Sequence, residues 1–533
     1  MRRTTRMTAA LTTPLLACGL LTTEATAESP PGTPRHYLTQ AIDWKPCFTE
    51  VPAEAPPGAE RLECGSYKAP LDWHRPHDPT DITIAVSRLK PADSRTTVLT
   101  NPGGPGASGR MLPLMFLAGN RTRLTDNAEI IGIDVRGTGD STKASCGGLT
   151  YPFHLDPRDR GRANVDAVHD AMAEYARTCQ EKSGALGRAI TTEQTVRDLD
   201  LLRHLLGRRK VSWVGYSGGT WLGAHYATAF PHRVERFVLD SNAEFTAPWQ
   251  QVFSVFGAAG ERRFRVDLAP WLGRHDSLYH LGSDGEQVRR TYERVRSKLV
   301  ERPVVLPDGT VVTATQFDLG LFNSLYAKAS WPETGRQFAR LVALVDQPPT
   351  AAATTAAAVD PVADATEGTL MNILCNDTPF RGDARSLARE AERDGTRYPL
   401  FGWYRLAGPC AFWDRPDDVR LPTPTGRGVP PVLMVQSVRD PATPLEGARR
   451  AHERFAGSRL LTVTDEGDHG IYGGDNACVN DVVESYLVDG VVPPGDLSCA
   501  GMPLPEPAAR TAAVPNPLRE VERLTKVIGP LPG

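Results

Sequence analysis

The chain has 533 residues, of which 40% are hydrophobic and 23% are charged, so it can bury one large core with an insertion, or two cores. Its formal net charge of −3 excludes the strongly basic balance that is typical of proteins binding nucleic acid or an anionic membrane. We therefore expect small or neutral partners and no nucleic acid.

The first 27 residues have the features of an export signal. Three arginines precede an apolar run, and the sequence ATA at 25–27 resembles a signal-peptidase site. An alternative is lipoprotein processing, because LLACG at 15–19 resembles a lipobox; residues 1–17 would then be removed and Cys18 would carry a lipid anchor. No later stretch is apolar for long enough to span a bilayer. Both alternatives predict an exported protein, either secreted or lipid-anchored on the outer face of the cell membrane.

Eight cysteines remain when Cys18 is set aside, and an even number in an exported chain favours disulfides. No Cys-x-x-Cys motif is present and the histidines are scattered, so we expect no metal site. The spacing forms four neighbouring couples, and we expect each couple to pair. These couples are Cys47 with Cys64, Cys146 with Cys179, Cys375 with Cys410, and Cys478 with Cys499.

Short apolar runs that alternate with helical stretches predict a parallel sheet covered by helices in the first half of the chain. The stretch 191–207 is typical of such a helix, since its apolar residues recur at helical spacing and Gly207 provides a stop. The predicted strands are 81–89, 97–100, 129–134, 211–214 and 237–241.

The pattern changes between about 244 and 428, where the sequence is helix-rich and irregular. We interpret this region as a helical cap inserted over the sheet, and we expect the low-complexity run 347–368 to be a flexible connection. Strands are predicted again at 431–437 and 458–463, with helices near 446–455 and 479–487. The expected organisation is therefore a core formed by 37–243 and 429–533, with the cap 244–428 between its two parts.

Three polar residues follow three of the predicted strands. Ser217 lies in the sequence GYSGG directly after 211–214, where a sharp strand-to-helix turn would expose its hydroxyl. Asp440 follows 431–437 and His469 follows 458–463, and reactive groups in such sheets collect at the carboxyl ends of strands. The order Ser, Asp, His is that of the α/β-hydrolase arrangement.

Each residue type suits one role in nucleophilic catalysis. A serine hydroxyl needs a base, so His469 would accept its proton, and Asp440 would orient and stabilise the imidazole. Asp465 and Asp468 compete with Asp440 as the acid, but both lie on the loop of the base itself. This mechanism requires no cofactor.

An oxyanion hole is the remaining requirement, and the loop TNPGGPGASG directly follows the strand 97–100. Backbone N–H groups of this loop and of the residue after the nucleophile, Gly218, would bind the oxyanion. We favour Gly104 as the loop donor, with Gly103 as the alternative.

Five motifs in chain order resemble those of α/β-hydrolase peptidases. They are NPGGPG, DVRGTGDS, GYSGG, SVRDPATP and GDHG, and they are similar to those of proline iminopeptidases and of exported bacterial tripeptidyl aminopeptidases. The resemblance extends over nearly the whole mature chain. It implies a capped α/β-hydrolase fold and a secreted serine exopeptidase that releases short peptides, such as tripeptides, from free amino termini.

Two positions depart from the pattern of that family. The proline iminopeptidase loop usually opens with His where this chain has Pro102, and closer relatives often have Glu where this chain has Leu374. Binding a free amino terminus requires an anion, for which Asp377 is our candidate. The alternative interpretation of Asp377 is a capping or loop residue beside a disulfide.

Two other functions remain open at this stage. The same serine machinery cleaves esters, so a secreted carboxylesterase or lipase is an alternative to a peptidase. A binding protein built on an inactive hydrolase scaffold is a further alternative, against which the intact Ser, Asp and His set argues. The sequence carries no signal for an oligomeric state.

Overall fold

The computed structural model describes residues 28–94, 96–306, 309–347, 359–507 and 516–528. The predicted export signal and Cys18 lie outside these ranges. None of the helices in the described part of the chain combines the length and the apolar character needed to span a bilayer.

A central sheet of ten strands organises the protein. Its strands are β1 (Lys45–Pro46), β2 (Leu62–Pro70), β3 (Asp81–Leu89), β4 (Thr96–Asn101), β5 (Ala128–Asp134), β6 (Val211–Tyr216), β7 (Val234–Asp240), β10 (Leu433–Ser437), β11 (Arg459–Thr464) and β12 (Leu497–Ala500). A separate hairpin contains β8 (Val304–Val305) and β9 (Val311–Val312).

The order across the sheet is β1-β2-β3-β5-β4-β6-β7-β10-β11-β12. The strands from β5 to β12 run parallel, whereas β1, β2 and β3 join as an antiparallel edge. The chain passes from β4 to β5 on one side, while β6 lies on the other side of β4. The loops after β4 and β6 therefore meet at a topological switch point, where ligands bind in sheets of this type.

The parallel strands are buried because helices cover both faces of the sheet. Every residue of β4, β5 and β6 is buried, as expected for a doubly covered parallel sheet. Neighbouring residues of one strand enter different cores: Val98 packs in one hydrophobic cluster and Leu99 in the other. Two apolar layers thus hold the sheet rigid beneath the loops at its carboxyl edge.

The helices divide between these layers and the cap. Those outside the insertion are α1 (Arg35–Leu38), α2 (Leu112–Ala118), α3 (Thr122–Thr125), α4 (Arg162–Ala189), α5 (Thr192–Leu205), α6 (Gly218–Ala229), α16 (Leu445–Arg454), α17 (Ala477–Leu487) and α18 (Pro517–Ile528). Those within it are α7 (Trp249–Ser254), α8 (Phe256–Arg263), α9 (Ala269–Arg274), α10 (Asp276–Tyr279), α11 (Gly285–Glu301), α12 (Ala314–Ser324), α13 (Trp331–Val345), α14 (Pro361–Asp377) and α15 (Ala384–Arg397).

The insertion forms a cap with a hydrophobic core of its own, in which Phe264, Trp271, Tyr292 and Trp331 are fully buried. The segment Phe264–Leu268 continues α8 as a short π-helix. Strands β7 and β10 on either side of the insertion are neighbours, with Val238 paired to Leu433. The two parts of the core therefore make one sheet, as expected from the return of the strand pattern after the insertion.

Disulfides join the eight predicted cysteines in consecutive couples, as we expect from their spacing. The bonds are Cys47–Cys64, Cys146–Cys179, Cys375–Cys410 and Cys478–Cys499. Cys375–Cys410 lies within the cap and the others lie in the core.

The structure corrects the prediction for 347–368. Residues 361–368 form the first half of α14, whose first turn is capped by the Asp360 carboxylate. Residues 348–358 lie outside the described residues. The sequence interpretation also missed β1, β2, β12 and the hairpin of β8 and β9; apart from β2, each of these strands has only two to four residues.

Candidate active site

Ser217 lies on the turn between β6 and α6. Its backbone has φ 53° and ψ −121°, a conformation that residues other than glycine rarely adopt. Its N–H donates to the carbonyl of Asp240 at 3.0 Å. A Cβ on Gly215 would lie 2.4 Å from the Gly219 carbonyl oxygen, so the turn is closed to larger residues there. The strained turn therefore places a half-buried serine at the carboxyl edge of the sheet.

His469 and Asp440 form a hydrogen-bonded pair at the carboxyl ends of β11 and β10. The imidazole Nδ1 lies 2.9 Å from Asp440 Oδ2 and 3.0 Å from Oδ1. Asp440 also accepts the N–H groups of Ala442 and Thr443, at 2.9 and 2.8 Å. Both members of the pair are buried. Because Asp440 occupies Nδ1, Nε2 is the ring nitrogen left for proton transfer.

The two competing aspartates have different surroundings. Asp465 is exposed on the turn after β11. Asp468 is buried, and its Oδ1 accepts hydrogen bonds from the Arg263 guanidinium and the Lys328 N–H, each at 2.8 Å. Neither contacts the imidazole of His469, so the geometry favours Asp440 as its partner.

Asp240 links the turn that carries Ser217 (the serine turn) to the loop that carries His469 (the histidine loop). Its carbonyl accepts from Ser217, and its Oδ2 accepts the N–H groups of Ile471 and Tyr472 at 2.9 and 2.7 Å. Burial raises the pKa of the Asp240 carboxyl to about 6, against the opposing effect of these N–H donors. A second link runs from the Tyr216 hydroxyl to the Tyr472 carbonyl at 2.8 Å. These bonds bring the histidine loop against the serine turn.

Sequence reasoning missed Asp240. Asp240 could have been found from its position at the carboxyl end of β7, where reactive groups in such sheets collect. The same rule identified the loop of Asp440. Ser241 supports the arrangement, because its hydroxyl accepts the Gly470 N–H at 2.7 Å and donates to Asp240 at 3.0 Å.

The loop after β4 lies directly beside the serine turn. A Cβ on Gly103 would lie 2.7 Å from the Gly218 nitrogen and 3.0 Å from Ser217 Cβ. The Gly103 N–H donates to the Asn101 side chain at 3.0 Å, whereas Gly104 is exposed and has φ +101°. Gly104, with Gly218 at the first turn of α6, stays our prediction for the pair of oxyanion donors, and the N–H of the alternative, Gly103, is already bonded to Asn101.

A segment of the cap, which contains Tyr326 and Lys328, also contacts the histidine loop. The Tyr326 carbonyl accepts the His469 N–H at 2.8 Å, and the Tyr326 ring packs edge-on against the imidazole with centroids 5.0 Å apart. Two residues later, the Lys328 ammonium pairs with Glu466 and lies 3.7 Å from Asp468. The loop that carries His469 is therefore held by both the core and the cap.

The buried Arg263 and the half-buried Arg439 extend this contact. Arg263 of α8 bridges Asp267 at 2.6 Å and Asp468 at 2.8 Å, and Asp267 in turn accepts from Arg439, the residue before Asp440. Sequence reasoning could not find this network, since its members are spread over more than two hundred positions, and Arg263 and Asp267 of the cap belong to no motif.

Nothing in the described ranges resembles a metal centre, because they contain no group of three or more His, Cys, Asp or Glu side chains that could hold an ion. The arrangement offers a hydroxyl, an imidazole paired to a carboxylate and two backbone N–H groups. Such a set is suited to acyl transfer.

Comparison with known proteins agrees with this chemistry. Residues 398–499 match the family model of the TAP-like protein, an α/β-hydrolase domain. The chain is 33% identical to a tripeptidyl aminopeptidase of Streptomyces lividans over 87% of this chain and 88% of that protein. It is 25% identical to the serine protease Hip1 of Mycobacterium bovis, over 87% and 91%. It is also 27% identical to carboxylesterase B of Mycobacterium tuberculosis, over 82% and 86%.

The chain belongs to the tripeptidyl aminopeptidase family. The expected fold is confirmed as a capped α/β-hydrolase, with a mostly parallel sheet and flanking helices. Within this family of serine peptidases, the motif resemblance and the overall identity lead to the same assignment.

Asp377, our candidate for the amino-terminus site of a tripeptidyl aminopeptidase, bonds to Thr192 and Trp249. It is 2% exposed. Its carboxylate accepts the N–H and the hydroxyl of Thr192 at 2.7 and 2.6 Å, and the indole N–H of Trp249 at 3.1 Å. Burial raises the pKa of this carboxyl to about 6. The residue caps the first turn of α5 and has no free face for a substrate ammonium.

Proposed function

We propose that this protein is an exported serine exopeptidase that hydrolyses peptide bonds near free amino termini and releases short peptides such as tripeptides. The observation that carries the proposal is the buried Asp440–His469 pair, 2.9 Å apart, on a loop tied to the Ser217 turn and covered by the cap. Membership of the tripeptidyl aminopeptidase family supports the substrate class.

In the proposed first step, the Ser217 hydroxyl attacks the carbonyl carbon of the scissile bond while its proton moves to Nε2 of His469. Asp440 stabilises the imidazolium through Nδ1 and keeps the ring in one orientation. The N–H groups of Gly104 and Gly218 bind the oxyanion of the tetrahedral intermediate. Loss of one such donor typically raises the barrier by about 3 kcal/mol.

In the second step, His469 returns its proton to the leaving amine as the C–N bond breaks, and an acyl-enzyme on Ser217 remains. A water molecule then attacks the acyl carbon and gives its proton to His469. Collapse of this second intermediate releases the amino-terminal peptide as a carboxylic acid and restores the serine hydroxyl.

The cap supports an exopeptidase rather than an endopeptidase. Helix α14 packs on the loop after β4 that carries Gly104, which we call the oxyanion loop. A Cβ on Gly106 of this loop would lie 2.9 Å from Thr369 Cβ and 3.0 Å from the Leu370 nitrogen. A cap this close to the reacting groups leaves more room for the end of a substrate peptide than for a peptide that continues on both sides of the scissile bond. The four disulfides favour an oxidising compartment, so we propose a secreted or Cys18-anchored protein.

A substrate series tests this function. Chromogenic anilides with one, two or three residues, each with a free or an acetylated amino terminus, are compared by kcat/KM. We expect the free three-residue substrate to be cleaved best and acetylation to lower kcat/KM at least about tenfold, because a hydrogen bond to a charged group is worth about 1.5 to 3 kcal/mol. Equal cleavage of free and acetylated substrates would contradict the exopeptidase proposal.

The variant Ser217→Ala serves as the control for the nucleophile. We expect kcat to fall by about 10⁶-fold, while far-UV circular dichroism and the melting temperature stay as in the parent protein. Residual turnover within a hundredfold of the parent would remove Ser217 from the mechanism.

A carboxylesterase is the second candidate, favoured by the similarity to carboxylesterase B. The same acyl-enzyme chemistry cleaves esters. Simple p-nitrophenyl esters in the same assay separate the two: a peptidase gives a higher kcat/KM on its best free peptide than on any of the esters.

A further inference from the structure

A cavity of about 310 Å³ lies inside the cap. Helices α7, α8 and α14 and the segment 401–410 form its walls. Phe253, Phe256 and Leu374 line it and are only half-buried, so their apolar faces meet open space. Partly exposed apolar surface of this kind marks ligand-binding cavities rather than closed cores.

Three polar side chains of the wall already bond to other parts of the protein. The Tyr404 hydroxyl donates to Asp318 at 3.0 Å, and the Arg405 guanidinium pairs with Glu390. The Gln250 amide exchanges two hydrogen bonds of 2.9 Å with the backbone of Arg381. No Asp or Glu is among the described residues that line the cavity. A cation that entered would therefore lose its hydration without gaining a counter-ion, and an anion would meet only Arg405, which is already paired with Glu390.

One wall of the cavity continues into the oxyanion loop. Leu370 of α14 lines the cavity, and its backbone nitrogen lies 3.0 Å from the position of a Cβ on Gly106. The same loop packs on the nucleophile turn, where a Cβ on Gly218 would lie 3.0 Å from the Pro105 nitrogen.

Two series of aromatic contacts lead from the other walls of the cavity toward the candidate catalytic groups. On one side, Phe256 stacks on Phe322 with centroids 6.1 Å apart, Phe322 meets Tyr326 at 5.9 Å, and Tyr326 packs on His469 at 5.0 Å. On the other side, the cavity residue Trp249 stacks at 4.0 Å on Trp221, which lies one helical turn after Ser217.

Three walls of one cavity thus lead by direct contacts to the oxyanion loop, the imidazole and the nucleophile turn. An extended tripeptide spans only about 10 Å. The cavity wall at Leu370 is one packing contact from the loop after β4, so a side chain on the amino-terminal side of a bond held at Ser217 is within reach of this wall.

We propose that the cavity binds an apolar side chain of the acyl half of the substrate, and that it makes the enzyme prefer large aliphatic or aromatic residues there. The proposal rests on the proposed function for its substrate and adds the side-chain class. The free amino terminus is bound elsewhere, since the cavity wall offers it no carboxylate.

Three-residue anilides with free amino termini test the preference. Each position of an all-alanine reference is replaced in turn by Leu, Phe, Asp or Lys. At one position we expect Leu or Phe to exceed Asp and Lys in kcat/KM by at least about tenfold, as is typical of apolar specificity pockets. A preference below twofold at all three positions overturns the proposal.

Two variants locate the preference in the cavity. Leu374→Asp places a charge in the wall of the cavity. Leu374→Ala keeps the wall apolar but enlarges the cavity. The Ala variant tests the proposal if the Asp variant fails to fold. In Leu374→Asp the ratio of apolar to charged substrates should fall at least about tenfold. In Leu374→Ala it should stay above one and shift toward larger side chains.

Leu344→Asp is the matched control. This residue is also a half-buried leucine of a cap helix, on α13 and outside the cavity. The ratio should remain that of the parent. A ratio that is unchanged in both Leu374 variants, or reduced equally in Leu344→Asp, places the specificity elsewhere.

Esters separate failure of this proposal from failure of the peptidase function. The parent and the same variants are assayed with p-nitrophenyl acetate and p-nitrophenyl hexanoate, which have no amino terminus. If peptides are inert but the parent prefers hexanoate and Leu374→Asp loses this preference, the cavity proposal stands and the peptidase proposal fails. If peptides are cleaved without regard to their side chains, the reverse holds.

Discussion

The carboxyl edge of the sheet and the cap face above it hold the histidine loop by different means. At the sheet edge, Asp440 and Asp240 accept backbone N–H groups that follow one another along the chain. On the cap face, Arg263 and Lys328 contact the loop through charged side chains, with Asp468 as a shared partner. The sheet-edge bonds fix the loops relative to buried strands, whereas the charged pairs depend on where the cap helices lie, and the Tyr326 carbonyl adds one backbone bond on the cap face.

This difference predicts two classes of variant. Changes at the sheet edge should lower kcat with little effect on folding, because the backbone around them is fixed by buried strands. Changes on the cap face should lower stability or alter KM, because they move the cap relative to the sheet.

The largest effect is expected at the sheet edge, from Asp440→Asn. The amide removes the charge that orients and stabilises the imidazole, so kcat should fall by about 10⁴-fold. Steady-state kinetics measure this, with Asp465→Asn as the control, since Asp465 is an exposed aspartate on the histidine loop. Equal losses in the two variants would remove Asp440 from the mechanism.

The cap face is tested by Lys328→Met. The substitution leaves Glu466 and Asp468 buried without their ammonium partner, so the free energy of unfolding should fall by about 3 to 5 kcal/mol. Urea unfolding measures the change. Lys298→Met is the control, because Lys298 of α11 forms an exposed pair with Glu301 and its removal should cost less than about 1 kcal/mol. Similar losses in the two variants would show that the buried contact adds nothing.

Disulfides sharpen the comparison, since one lies beside the cap cavity and another at the edge of the sheet. Replacing either Cys375–Cys410 or Cys47–Cys64 with serine pairs should lower stability by about 3 to 4 kcal/mol. Only the cap pair should also raise KM for substrates with apolar side chains, because Cys410 lines the cavity. Raised KM in the Cys47 and Cys64 variant would contradict the separation of roles.

The smallest effect concerns Asp377, whose pKa is raised by burial to about 6 in the folded state. The unfolded chain ionises at a lower pH, so the contribution of this group to stability is full below about pH 4 and is lost as the pH rises to about 6. Between about pH 4 and pH 6, the free energy of unfolding of the parent should therefore fall by about 3 kcal/mol relative to that of Asp377→Asn. Urea unfolding at pH 4 to 8 measures it, and a constant difference would refute the raised pKa.

Much of the core could be predicted from the sequence because its strands are short apolar runs that end at polar loops. The run 211–214 located the Ser217 turn, and the runs before Asp440 and His469 located their loops. The cap was harder to predict. The alanine-rich stretch before α14 suggested a flexible connection, although 361–368 form the first half of α14, whose Thr369 and Leu370 pack on the loop after β4.

By itself, the sequence determined the strands that lead to Ser217, Asp440 and His469 and the pairing of neighbouring cysteines, because each depends on residues that are close in the chain. Only the tertiary structure decided which aspartate meets the imidazole, that Asp377 is enclosed by Thr192 and Trp249, and that an apolar cavity lies inside the cap. Those outcomes depend on how the cap packs against the sheet, and such long-range contacts leave no local pattern in the sequence.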